Sequence, residues 1–470
     1  MASAASTPAP GAGATISRRL AHFAAGLSWE AIPDEVRRRG RHLMLDAIGC
    51  GLAATRFDFA APSVAAAAEL GGPGRRVVLG HAQRLPLRDA VMANGILMHG
   101  LDYDDTHSEG VLHLSVATLP AALGVAAEAG RAGRDLLVAY VAGLEVGARL
   151  GAVAKGGFHQ VGFHPTGLVG AFCATIAAGK LRGLDAEGLA AAQGIALSVA
   201  AGSLEFLAEG AWTKRLHPGW AGVGGITAVA LAAQGFVAPG AAYEGRFGLY
   251  KSHLGPLDAQ CDYGRASEGL GRSWETLNVA VKPFPACHFV HAFADAAIAL
   301  RRSGVDPERI RSITALVPPQ VVKTVCEPPA SKRCPANDYD AKFSVPYAIA
   351  ASLRAGRFGL AELEEAALRD PATLALAAKV DWQEDPQSGF PRYYAGEVIV
   401  RMADGTEHRH REAVNRGNAE RPLGEADIVA KFLDNAALGV SPQQARRILD
   451  AVLGLDALEA GALEETLAGG

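Results

Sequence analysis

The chain has 470 residues, of which 49% are apolar but only 6% aromatic, and a formal net charge of -4 spread along its length. That length exceeds what one hydrophobic core organises and predicts two domains, while an apolar content rich in Ala and Gly favours closely approaching helices over a sandwich or barrel. No basic block and no interleaving of Lys or Arg with aromatics tracks a phosphate backbone, which argues against nucleic acid as a partner.

In chain order, Met1 to Thr15 reads as a frayed tail without the apolar run of a signal peptide. A helix opens at Ser28 and Pro33 and runs to about Ala54, with Val36, Leu43, Ala47 and Cys50 on one stripe. Arg76 to Leu79 reads as a lone strand. Leu85 to His99 is helical and stops at a polar cluster, Leu101 to His113. Helices follow over Leu119 to Ala129, Asp135 to Leu150, Pro165 to Arg182, Asp185 to Ala200 and Pro218 to Gln234. The apolar stretches Leu136 to Val146 and Ala221 to Ala233 are too short to span a bilayer, so no membrane contact and a cytoplasmic location are expected.

The pattern changes after Ser273. A helix over Cys287 to Arg302 precedes a strand-like run from Ile310 to Val317, and Tyr394 to Met402 and Thr406 to Arg411 flank a hairpin signal at Ala403-Asp404-Gly405. Ser441-Pro442 then caps a last helix carrying Ala445, Ile448, Leu449 and Val452. The predicted fold is mainly α: an all-helical domain over 16–273 and 415–465, and a smaller α+β domain over 274–414.

Five polar interruptions carry the chemistry. The first, His99-Gly-Leu-Asp-Tyr-Asp-Asp-Thr-His107 with His113 beyond it, is dense enough to bind a divalent metal, to supply acid and base groups or to cap helices, and the residues alone leave all three open. Gly162-Phe-His-Pro-Thr-Gly167 sets His164 ahead of a helix N-terminus, where a carboxylate is attracted and where a plain cap also fits. Trp212 to Gly219 gathers Lys214, Arg215 and His217 between apolar helices, and a Lys there needs an anionic partner, either a bound carboxylate or an ion pair. The remaining two are Lys282 to His291, in which His291 reads as a satisfied core histidine, and Tyr339 to Tyr347. The cysteines at 50, 173, 261, 287, 326 and 334 lack the spacing of an iron-sulfur centre and read as reduced.

Taken together and in this order, HGLDYDDTH, GFHPTG, TKRLHPGWA, KPFPACHFVHAFADAA and YDAKFSVPYAIA resemble the motifs of MmgE/PrpD proteins, a family that includes 2-methylcitrate dehydratase, cis-aconitate decarboxylase and iminodisuccinate epimerase. The resemblance runs from about residue 16 to 460. It implies a helical domain, a smaller α+β lid domain and a homodimer. It also implies Asp102, His113, His164 and Lys214 as catalytic residues, and Thr106, His217, Lys282, His288 and Tyr347 as substrate-binding ones, without metal or other cofactor. Leu114 follows His113 where relatives commonly carry Pro.

The expected function is a metal-independent lyase, of dehydratase or decarboxylase type, acting on a small di- or tricarboxylic acid such as 2-methylcitrate or a relative. Proton transfer alpha to a carboxylate needs a near-neutral base and fixed positive charge, which His and Lys supply. A racemase or epimerase of an amino- or imino-dicarboxylate is the alternative enzyme, and an inactive carboxylate-binding protein the alternative from another class.

Overall fold

Thr15 accepts a hydrogen bond from the Arg18 N–H and starts helix α1 (Ile16–Gly26), close to the beginning of residues 13–469 that the computed structural model describes. Most of the expected tail, residues 1–12, lies outside them. Helix α2 (Asp34–Ala54) begins directly after Pro33, with Asp34 and Glu35 at the positive end of its dipole. A third helix that the sequence pattern did not announce, α3 (Ala60–Gly71), follows. Strand β1 (Arg76–Val77) is not a lone strand, because it pairs antiparallel with β2 (Arg84–Leu85).

The central helices are α4 (Leu87–His99), α5 (Ser115–Glu128), α6 (Gly133–Val153), α7 (Pro165–Leu181), α8 (Ala186–Ala196), the single turn α9 (Phe206–Glu209) and α10 (Thr213–Ala233). Helix α7 packs against α5, α6 and α10, and α10 also lies on α4. Two helices start earlier than their prolines suggested. Pro120 lies inside α5 and Pro218 inside α10, so Lys214 and His217 stand on the first turns of a core helix instead of in a loop. Helix α6 has 21 residues and is long and apolar enough to cross a bilayer, longer than the stretch expected, but its most apolar stretch is fully buried among other helices.

The buried apolar side chains divide into two main clusters, which exchange between Val281 and Phe284. The first gathers α1 to α8 together with the C-terminal helices α14 (Glu425–Gly439), α15 (Pro442–Leu453) and α16 (Ala460–Thr466). The second contains helices α11 (His291–Arg302), α12 (Asp338–Lys342) and α13 (Val345–Ala355) and a four-stranded sheet. Phe206 of α9 crosses over and packs in the second cluster.

Six more strands complete the sheets used below. Strand β3 (Thr106–His107) pairs antiparallel with β4 (Val279–Ala280), tying the polar cluster after α4 to the segment entering the second core. In the larger sheet, β5 (Ile310–Val317) lies between the parallel β6 (Val380–Glu384) and the antiparallel β7 (Gly396–Met402), and β8 (Glu407–Glu412) forms the edge. The hairpin falls where Ala403-Asp404-Gly405 placed it, with Gly405 at φ 88°, a conformation suited to glycine. Strand β6 was not anticipated.

The crossing of α4 and α10 sets the distance between His99 and Lys214. A Cβ added at Gly95 would lie 2.5 Å from the Gly219 Cα, and one at Gly219 would lie 2.4 Å from the Met92 carbonyl oxygen. Only bare backbone permits this approach. Gly95→Ala is expected to destabilise the chain by about 1–3 kcal/mol through overpacking and to lower turnover by moving α10; urea unfolding and a kinetic assay on the same preparation check both effects.

Candidate active site

The cleft lies where the two cores meet. It is lined from the first part of the chain by Asp102, Thr106, His113, His159, His164 and Lys214, and from the second by Lys282, Cys287 and His288.

The local fold explains why these groups meet. After α4 ends, Asp102 adopts φ 52°, a left-handed conformation that Asp tolerates better than most residues. The β3–β4 register sets Thr106 opposite Ala280 and so carries Lys282, two residues on, back to Asp102. Lys282 Nζ donates to the Asp102 carbonyl at 2.7 Å and to its Oδ1 at 2.9 Å. Lys214 Nζ, from the first turn of α10, donates to the same Oδ1 at 2.8 Å. One carboxylate oxygen therefore holds two buried ammonium groups. Burial alone would raise the Asp102 pKa, but Lys214 and Lys282 outweigh it and hold the carboxyl well below the usual range.

Asp104 performs a second orientation. It accepts from His99 Nδ1 at 2.9 Å and lies 3.1 Å from His113 Nδ1, which also meets the Asp105 carbonyl at 2.7 Å. Both neighbours of the His113 Nδ1 atom are acceptors, so that nitrogen carries the proton and Nε2 is left for proton transfer, 3.7 Å from Asp102 Oδ1. Burial lowers the His99 pKa to about 4 despite Asp104, and burial with Lys214 lowers that of His164 well below its ordinary value. These rings form a packed cluster, with His99 and His113 centred 4.7 Å apart and His99 stacked 5.6 Å from His164.

His288 reaches the cleft from the other core. The Asn415 side-chain amide donates to its Nε2 at 2.7 Å, while Asn415 Oδ1 accepts from the Tyr394 N–H at 3.1 Å and so fixes the orientation of that amide. The proton of a neutral His288 then sits on Nδ1. Burial, assisted by Lys282, pushes its pKa down to about 3. His288 Nδ1, Thr106 Oγ1 and Asp102 Oδ2 are buried and have no partner among the described residues. A buried polar atom of this kind calls for a ligand or ordered water.

Seven of the nine expected site residues thus come together on the wall. His217 stands behind it, its Nδ1 2.9 Å from His164 Nδ1, and backs the catalytic candidate instead of facing the cleft. Tyr347 does not line the cleft, because α13 turns it into the second core, where its hydroxyl donates to the Glu362 carbonyl at 2.7 Å. His291 is fully buried and bonds the Ala286 carbonyl through Nε2 at 3.0 Å, a core histidine as expected, but only half satisfied, since its Nδ1 has no partner among the described residues. The residues missed were Asp104 and Asn415, which orient imidazoles, and Lys431, whose Nζ holds the Tyr103 carbonyl at 2.7 Å and Asp46 at 2.6 Å.

Two clusters have metal-ligand character, His99 with His113 and His164, and Asp102 with Asp104 and His113. The donor set fits a cation poorly. Asp102 already carries two ammonium groups, and the Lys214 charge that disfavours a proton on His164 and His99 disfavours a metal ion there equally.

The chain matches the MmgE/PrpD N-terminal domain over residues 18–262 and the MmgE/PrpD C-terminal domain over residues 284–457. It is 28% identical to a cis-aconitate decarboxylase of Aspergillus terreus over 465 residues, which cover 94% of each chain. It is also 28% identical to the human cis-aconitate decarboxylase over 459 residues, 95% of this chain and 92% of that one. The cis-aconitate decarboxylase-like protein oryM of Aspergillus oryzae is 26% identical over 459 residues.

Burial of neutral imidazoles has a pH signature. His99 and His217, lowered to about 4, and His288, lowered to about 3, bind protons more readily in the unfolded chain, whose histidines titrate near 6.5. Their contribution is present above about pH 6.5 and is lost as pH falls toward 4. Asp102, depressed by its lysines, acts in the same direction at still lower pH. Stability is expected to fall by several kcal/mol between pH 7 and 5. Urea midpoints at the two pH values measure this, and His288→Asn should flatten the dependence; a flat profile in the parent protein would contradict neutral burial.

Proposed function

Because the chain belongs to the MmgE/PrpD family, we propose that it is a lyase that removes carbon dioxide from a small polycarboxylic acid, with no metal or other cofactor. The observation that carries this reading is the pair of ammonium groups on Asp102 Oδ1, facing a cleft into which His113 presents Nε2. The relatives' names support decarboxylation ahead of dehydration.

Loss of carbon dioxide breaks a carbon–carbon bond and leaves its electron pair on the adjoining carbon framework. A second carboxylate conjugated with that carbon takes up the charge as an enediolate. Lys214 and Lys282 supply fixed positive charge for that carboxylate, and the His288 Nδ1–H and Thr106 hydroxyl are unpaired donors for its oxygens. The carbon then takes one proton. His113 carries out this transfer through Nε2, held in tautomer and direction by Asp104 and the Asp105 carbonyl, with His164 as the neighbouring relay. The second core acts as a lid whose closure excludes water and strengthens each charge interaction. The reading extends to the cytoplasmic homodimer that the family resemblance implies, for which light scattering of the purified protein is the check.

Proton NMR in deuterated buffer with chelator present tests the proposal. One equivalent of carbon dioxide should be lost and one deuterium should enter the product. His113→Gln and Lys214→Met are expected to lower kcat by about 10²-fold or more with unfolding midpoints near that of the parent. Full turnover in the His113→Gln, His164→Gln double variant would exclude the proton-transfer assignment, and loss of activity to chelator would exclude a metal-free reaction.

A further inference from the structure

The cleft carries few charges. Lys214 and Lys282 are the only lysine or arginine side chains on its wall among the described residues, and Asp102 already neutralises one of the two. The nearby cations are committed elsewhere. Arg215 donates to the Gly100 carbonyl and faces Asp338, Lys342 is paired with the same Asp338, and Lys431 is paired with Asp46. Lys323 and Lys332 line an adjoining hollow that also holds Glu327 and Asp340. With the imidazoles neutral, the wall has a net charge of about one positive unit, and burial favours that neutral state for His164 and His288.

Most of the remaining wall is apolar. Leu204, Phe206 and Leu207 come from the segment before α10, and Phe289 and Phe343 from the second core. Tyr394 lines it too, but its hydroxyl is spent on the Ser108 carbonyl at 2.9 Å. A trianion buried here would leave about two negative charges without a counter-charge beside a largely apolar wall, with the His288 Nδ1–H and the Thr106 hydroxyl as its unpaired donors. A dianion leaves one, which a single proton on the transferring imidazole compensates, and a hydrocarbon substituent would fill the apolar wall.

We infer that the preferred substrate is an unsaturated dicarboxylate carrying an alkyl group where cis-aconitate carries its central carboxylate. This inference rests on the decarboxylase reading proposed above. In such an acid the bond to the departing carboxylate breaks and its electron pair forms a new double bond to the central carbon, the pair of the original double bond moves onto the carbon beside the conjugated carboxylate, which holds the charge as an enediolate, and one proton is added at that carbon.

A matched pair tests it on the whole protein: 3-methylpent-2-enedioic acid against cis-aconitic acid for kcat/KM, and the unreactive 3-methylglutaric acid against propane-1,2,3-tricarboxylic acid for Kd by calorimetry at pH 7. The methyl member is expected to lead by about tenfold or more in both. Leu207→Arg, at an exposed position on the rim, should narrow or reverse the preference by adding a cation. Equal or better use of the tricarboxylates overturns the inference and leaves the decarboxylase reading standing. No carbon dioxide from either acid, with the methyl preference kept in binding, overturns the decarboxylase reading and supports the inference on specificity. Binding of neither saturated acid overturns both.

Discussion

One carboxylate oxygen, Asp102 Oδ1, organises the cleft. Two ammonium groups within 3 Å of it would repel each other in an apolar interior and be costly to bury without a counter-charge. Asp102 lets both remain buried and charged. The arrangement also brings together chain segments 112 and 180 residues apart, one on a helix of the first core and one on the strand exit that leads to the second. Removing Asp102 would therefore cost folding and site geometry at once, since it would leave two buried cations unpaired.

The loop carrying Asp102 is held from several sides. Lys282 takes its carbonyl, β3 pairs with β4, and Lys431 of α14 takes the next carbonyl while facing Asp46 of α2. The C-terminal helix thus reaches the site through the backbone of the polar cluster. Lys282 on its own carbonyl and Lys431 on the next fix the turn at Asp102, which is how a non-glycine left-handed residue persists there.

Much of this was legible in the sequence where one physical signal dominated. Apolar periodicity located the core helices, Gly405 located the hairpin, and the polar interruptions at 99–113, 162–167, 212–219 and 282–291 located the cleft. Prolines misled when taken as helix starts, because these helices run through them: past the first turn a proline forgoes one bond to the carbonyl four residues back, and core packing holds the helix together despite that loss. Pro218 is the sixth residue of α10. That error put Lys214 in a loop. Tyr347 was misplaced because its motif lies next to the cleft in sequence while α13 turns its side chain the other way. Asp104 was visible but indistinguishable from Asp102 and Asp105, three carboxylates whose different roles follow only from what each touches. Asn415 had no signal at all, since its partner His288 is 127 residues away.

The three carboxylates show how environment divides one chemical type. Asp102 is held ionised by lysines, and Asp104 is held ionised by the His99 and His113 rings against the cost of its burial. Asp105 has no cation in contact; burial, with Asp104 beside it, raises its pKa to about 7 although Ser115 and backbone N–H groups bond it. It splints the start of α5 to the loop by accepting from the Leu114 and Ser115 N–H groups, and its raised pKa limits the negative charge added beside Asp102 and Asp104. A fully ionised Asp105 would set three aspartates against the two lysines and turn the local charge negative. The charge balance of the site therefore depends on both lysines and equally on the burial that raises the pKa of one aspartate.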